Sequence, residues 1–263
     1  MPHDIKLPAA ERQLRLTEAL DRHRFVSVTE AAALLSVSGM TVRRDLKVLE
    51  QLGVLQVTHG GAVRPRGQDD TIVDVEEPLF RKRQRLHAEE KRRIARGAAA
   101  LVKPGQTVAL DVGTSVLALA KELAARSDLH LFTNSLPIAN ALTRARSPVY
   151  VLGGQIRSPE LAIVGSMALA QIKDFRFDIA FIGVSGITGA GFFDYALEDT
   201  QVKRAFIQRS KQVVVLSDAS KFGHSALASI GSLDCCHDLI TNSRPKGTLA
   251  KALARAGVRI HLT

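Results

Sequence analysis

Seven short runs rich in β-branched residues recur between Lys91 and the end of the chain: "TVALDVG", "LHLFTN", "VYVLGG", "DIAFIGVSG", "QVVVLSD", "HDLITN" and "VRIHL". Many end in Gly, Asn or Asp, and helical stretches such as "SVLALAKELAAR" and "EDTQVKRAFIQRS" lie between them. No other feature restricts the fold as strongly. Strands that reach one another through helices are joined by crossovers, and crossovers make parallel neighbours covered on both faces. Residues 89–263 are therefore expected to form an α/β domain with a mostly parallel sheet. No internal repeat or low-complexity tract competes with this reading.

The first fifty residues follow a different period. "ERQLRLTEALDRH" places Leu16 and Leu20 four apart. "SVTEAAALLSV" opens with a candidate capping box, Ser27 with Glu30 three residues on. In "SVSGMTVRRDLKVLE", Ser38 can cap a helix in which Val42, Leu46 and Leu49 make one apolar stripe. Met40, Arg43, Arg44 and Lys47 then occupy the other face. "VLQVTHGGAVRP" reads as a hairpin around a Gly-Gly pair. Two short helices, a tight turn, a basic second helix and a hairpin are the plan of a winged helix-turn-helix, whose second helix enters the major groove. Thr41, Arg43 and Arg44 would face base edges or phosphates, with Lys47 beside them. His59, Gly60 and Gly61 would lie in the wing, where glycine lets backbone approach a phosphate. The bland alternative is a solvated basic face.

Between these parts, residues 65–88 hold no sustained apolar period and read as a linker running into a helix near Glu89. The run "RKRQR" (Arg81 to Arg85) reads as a solvated connecting segment rather than a nucleic-acid patch. The expected organisation is residues 1–64, a linker at 65–88, and 89–263. Charge does not single out the first part. Of the net +10, residues 96–263 carry +7 (19 Lys and Arg against 12 Asp and Glu), and residues 1–64 only +2 (9 against 7). The excess suits a small anionic partner as well as it suits nucleic acid. No signal-peptide core and no apolar run long enough to span a bilayer is seen, so a cytoplasmic protein without membrane contact is expected. Adjacent Cys235 and Cys236 read as small reduced thiols, with neither disulfide nor zinc geometry.

In the larger part, "ALDVGTSVLALAKEL" has a strand ending at Asp111, a turn at Gly113, and Thr114 and Ser115 opening a helix. Free N–H groups at a helix start, two hydroxyls and the helix dipole make a phosphate cradle. "TNSLPIAN" (with Asn134 and Ser135), "LGG" (with Gly153 and Gly154), "GVSGI" and "SDASKFG" also stand at strand ends, where open α/β sheets bind ligands. Five loops are expected to converge there.

"VSGMTVRRDLKVLEQLGVLQVTHGGAV" resembles the DNA-binding signature of the DeoR family of bacterial transcriptional regulators, and Arg12 matches the arginine opening that family's first helix. Val57 departs from it, standing where many members have arginine. The strand-end strings, with "DYALEDTQVKRAFI", are similar to the DeoR sensor domain, related in fold to ribose-5-phosphate isomerase. Asn242 is a second departure, where relatives usually show aspartate. The resemblance implies that Asp111, Gly113, Thr114 and Ser115 hold phosphate. It also implies that Glu198, Lys203, Asp218 and Lys221 touch phosphate or sugar hydroxyls, although Lys203 also reads as a solvated helix lysine. It implies a repressor of a carbohydrate or polyol operon, binding a duplex DNA operator as a homo-oligomer (dimer or tetramer) and responding to a phosphorylated sugar or polyol. No cofactor, metal ion or catalytic residue is expected. The alternative is a sugar-phosphate isomerase-like enzyme with an appended DNA-binding domain.

Overall fold

In the computed structural model, residues 8–23, 25–51, 55–58, 60–63, 72–74 and 77–263 are described. The chain divides into two compact units, Met1–Gln68 and Asp69–Thr263.

The first unit runs α1 (Ala9–His23), β1 (Phe25–Ser27), α2 (Val28–Leu35), α3 (Gly39–Gln51), β2 (Gln56–Thr58) and β3 (Gly61–Val63). One core gathers Leu16 and Leu20 of α1, Ala31 and Leu35 of α2, and Val42, Leu46 and Leu49 of α3. The capping box forms: the Glu30 amide donates to Ser27 Oγ at 3.1 Å, and the Ser27 amide donates to Glu30 Oε2 at 3.0 Å. Ser36 ends α2 in the left-handed region (φ 52°), which turns the chain into α3. Antiparallel strands in the order β1-β3-β2 form the wing. Arg12 grips Asp45, which lies on the buried stripe of α3, through bonds of 2.7 and 3.1 Å.

The second unit continues with β4 (Ile72–Asp74), α4 (Phe80–Arg85), α5 (Ala88–Ala99), β5 (Thr107–Leu110), α6 (Thr114–Leu123), β6 (His130–Thr133), α7 (Leu136–Ala141) and β7 (Val149–Val151). Next come β8 (Gln155–Arg157), β9 (Ala162–Val164), α8 (Ser166–Lys173), β10 (Phe177–Gly183), β11 (Gly186–Thr188), β12 (Gly191–Asp194) and α9 (Leu197–Arg209). Last are β13 (Ser210–Leu216), β14 (His224–Ala226), β15 (Ala228–Gly231), β16 (Asp238–Thr241), α10 (Gly247–Arg255) and β17 (Arg259–Leu262). The seven runs read from the sequence are the strands of one sheet, ordered β17-β16-β13-β10-β5-β6-β7, with every pairing parallel.

Alternation along β10 shows why both faces are covered. Ala180 and Ile182 point into a core with α8, α9 and α10, whereas Ile179 and Phe181 point into a second core with α5 and α6. Chain order reverses between β5 and β10, since β5 leads outward to β6 and β7 and β10 to β13, β16 and β17. The carboxyl ends of those two central strands flank the crevice that such a reversal opens.

Residues 65–88 differ from a plain linker. β4 pairs in parallel with β14, and Phe80 of α4 is buried in the α5–α6 core. β4, β8, β9, β11, β12, β14 and β15, each three or four residues long, stand outside the main sheet. Such pieces are too short for a period of two to declare itself. Both cysteines are free thiols, and burial pushes them up, to about 11 for Cys235 and about 12 for Cys236.

Candidate functional site

In the first unit, α3 presents the face read from the sequence. Arg43, Arg44, Lys47 and Met40 are exposed, while Val42, Leu46 and Leu49 are buried. Ser38 caps the helix, accepting from the Thr41 amide at 3.3 Å and sharing a 3.0 Å bond with the Thr41 hydroxyl. The wing is less uniform. Gly60 is exposed in a turn at φ +91°, but Gly61 is buried in the sheet, and a Cβ there would stand 2.3 Å from the Val26 carbonyl. Close strand packing thus requires Gly61, which is not a surface for phosphate. His59 lies outside the described residues. Val57 packs partly buried against the core, and its amide donates to Glu50 Oε1 at 2.8 Å.

In the second unit, three of the five expected loops build one cleft: Gly113, Thr114 and Ser115 after β5, Gly183 to Ser185 at the end of β10, and Ser217, Asp218 and Lys221 after β13. Gly113 takes φ +128°, and α6 starts without a side-chain cap, so its first N–H groups keep no intrahelical partner. Gly183 is needed because a Cβ there would meet the Val112 carbonyl at 2.4 Å. Asp218 accepts from the Ser220 amide at 3.0 Å and from the Ser220 hydroxyl, fixing the turn that carries Lys221. Asn242 accepts from the Ala219 amide at 2.8 Å, so this departure buttresses the same turn.

The other two loops stay out of the cleft. The β8–β9 hairpin covers them: Ile163 donates to the Asn134 carbonyl at 2.6 Å, and Leu136 donates to the Leu161 carbonyl at 3.1 Å. Asn134 is buried with its amide on the Ile163 carbonyl, and Ser135 caps α7. Gly153 donates to Gln171, and Gly154 lets the chain pass the Val164 carbonyl. Glu198 is exposed and also lies outside the cleft, whereas its neighbour Asp199 is buried and lines it.

Lys203 is a buried hub. Its ammonium donates to Asp111 Oδ2 and to the Gly183 carbonyl at 3.0 Å, and sits 3.1 Å from Asp194 Oδ2. Burial opposes its charge, yet Asp111, Asp194 and Asp199 hold it above the usual lysine range. With these three contacts made, it braces β5, β10 and β12 from the wall of the cleft. Burial raises Asp111 against the pull of Lys203. Burial works against Asp194 too, but Lys203 and bonds from Ser185 and Tyr195 keep it low.

Two cations not expected at the site line the cleft: Arg83, within the run read as a solvated connecting segment, and Lys91 of α5. Lys91 is buried, donating to the carbonyls of Arg83 at 2.5 Å and Leu86 at 2.7 Å. Burial lowers its pKa to about 8; Asp218 opposes the fall, while Lys221 and Arg83 add to it. A sequence signal existed: Lys91, Ile94, Ala95 and Ala98 form the buried stripe of α5, and a lysine on such a stripe needs a partner.

The sequence matches the DeoR-like helix-turn-helix domain over residues 12–68 and the DeoR C terminal sensor domain over residues 86–243. It is 32% identical over 256 residues to the glycerol-3-phosphate regulon repressor of Escherichia coli (strain K12), covering 96% of this chain and 98% of that protein. It is 34% identical over 254 residues to the HTH-type transcriptional repressor GlcR of Bacillus subtilis (strain 168), covering 96% of each. Among solved structures, ribose 5-phosphate isomerase A of Methanocaldococcus jannaschii overlaps 52% of this chain and 55% of its own at TM-score 0.40 and 19% identity.

Proposed function

The chain belongs to the DeoR family of DNA-binding transcriptional repressors, a regulator and not an enzyme, and from that premise we propose how its two units divide the work. The first unit binds an operator of a carbohydrate or polyol operon, with Arg43 and Arg44 at base edges or phosphates and Thr41 and Lys47 on the backbone. The second binds a phosphorylated sugar or polyol, glycerol 3-phosphate being one candidate. Filling the cleft shifts the population toward a form that releases DNA. The protein works in the cytoplasm as a homo-oligomer, dimer or tetramer, as a two-fold operator requires.

One observation carries the effector reading. An uncapped helix start with Thr114 and Ser115 shares a cleft with Lys91, Lys221 and Arg83, and the mutual repulsion of these cations helps depress Lys91. A dianionic phosphate relieves that repulsion and fills the vacant helix N–H positions. Asp218 and Asn242 shape the turn beneath Lys221, and Lys203 holds the strand ends.

A thermal-shift screen of phosphorylated sugars and polyols tests this. A ligand at 100 times its Kd stabilises by about 2.7 kcal/mol, and the unphosphorylated counterpart should leave the melting temperature unmoved. Equal shifts from both members of a pair would refute the phosphate reading.

A further inference from the structure

One wall of the cleft is built by chain that has just entered the sensor unit. Arg83 of α4, with Leu86 and His87 in the turn after it, lines the cleft, and the chain before α4 leads back to the DNA-binding unit. Lys91 fastens this segment by holding the carbonyls of Arg83 and Leu86. A row of charges fastens it a second time. Glu160 pairs with Arg83, Arg83 reaches Glu77 at 3.4 Å, Glu77 takes Arg157 at 3.0 Å, and Arg157 takes Asp199 at 3.0 Å. The ends of the row, Glu160 and Asp199, line the cleft, whereas Glu77 and Arg157 do not. The side chains in it are all 15% exposed or less, so solvent screens them weakly. A third tie is β4, which pairs with β14 directly after the turn bearing Lys221.

We propose that residues 77–87 are the element through which an occupant of the cleft acts on the rest of the chain. This rests on the phosphate-ester reading above. An anion in the cleft competes for the two cations, Lys91 and Arg83, that otherwise hold the segment's own carbonyls and the Glu160–Glu77 row. The bound and empty cleft therefore favour different arrangements of the segment, the differential contact that coupling between sites demands. Glu77 transmits this response without touching the occupant.

Hydrogen exchange on the full chain tests the relay, comparing wild type, Glu77→Gln and Arg157→Gln with and without glycerol 3-phosphate or glucose 6-phosphate. In wild type the ester should change exchange at residues 113–117 and at 77–87 together. In both variants the change at 113–117 should persist while that at 77–87 is lost. A purely structural role would alter 77–87 without ester and leave the ester-induced difference intact, which overturns the relay. So does a wild type in which 113–117 responds and 77–87 does not. Failure of both esters at 113–117 overturns the effector reading, and the relay falls with it.

Discussion

In the N-terminal unit the candidate interface is the outer face of one helix, with Arg43, Arg44 and Lys47 exposed above the buried Val42, Leu46 and Leu49. In the C-terminal unit the candidate groups come from α4, α5, the ends of β5, β10 and β13, and α9, and several are buried and ion-paired. The difference separates two ways of preparing for an anion. A duplex backbone is long and met at the surface, where arginines can stay solvated until contact. A small phosphate ester is enclosed, so its site needs cations already desolvated and held by neighbours. Truncating an exposed arginine of the first unit should therefore harm binding, and truncating a buried, ion-paired group of the second should harm folding.

The largest expected effect tests the second half of that contrast. Lys203→Met leaves Asp111 and Asp194 buried without their partner, and should cost about 3–5 kcal/mol, read from the urea midpoint. A midpoint near wild type would mean that Lys203 is not the brace of the sheet ends. Next comes Leu46→Ala, fully buried in α3, at about 2–5 kcal/mol. It should abolish operator binding while the ester-induced thermal shift of the sensor survives. Loss of both would show that the two units do not fold independently.

Arg43→Ala and Arg44→Ala should sharpen the contrast from the other side. Each should cost about 1–3 kcal/mol in operator affinity if it reads a base. Stability should stay within about 0.5 kcal/mol of wild type, as at exposed sites generally. Fluorescence anisotropy beside a melting curve separates the two quantities, and unchanged affinity in both variants would return this face to ordinary solvated surface.

Much of this was legible. The strand runs fix a parallel sheet because helices separate them, and the central pair, β10 and β13, seven residues each, alternate between two cores; the α3 stripe is plain from its period. The cleft was half legible: strand-end loops locate it, but which loops remain open depends on the β8–β9 hairpin, whose three-residue strands leave no pattern. The buried charges were written in a signal that went unread. Asp45 with Val42, Leu46 and Leu49; Lys91 with Ile94, Ala95 and Ala98; Asp199 and Lys203 with Val202 and Phe206: each puts an ion on an apolar stripe. A charge placed there must have a partner. The same rule picks Asp199 over Glu198 and singles out Lys91 on α5, whereas Arg83, on a helix whose only buried residue is Phe80, carries no such signal.

The smallest expected effect is a pH dependence. Lys91 titrates near 8 in the folded protein, below its ordinary value of 10.5, because burial disfavours its charge. Its ammonium therefore opposes folding most below about pH 8, and that penalty fades as pH rises from 8 toward 10.5. Ester binding runs the other way. A phosphate monoester is already dianionic above its second pKa near 6, so affinity should weaken from pH 7 to 9 as Lys91 loses its proton. Calorimetry across that range should show the fall in wild type and a flat profile in Lys91→Met. A flat wild-type profile would remove Lys91 from the site.

Titration of a preformed operator complex with phosphorylated sugars and polyols tests the central claim most directly. At least one ester should raise the operator Kd by roughly 5–150-fold, the ordinary span of coupling between sites. Lys221→Ala should bind the operator as wild type does and fail to release it. An operator complex indifferent to every ester tried, or a Lys221→Ala variant released like wild type, would contradict the account.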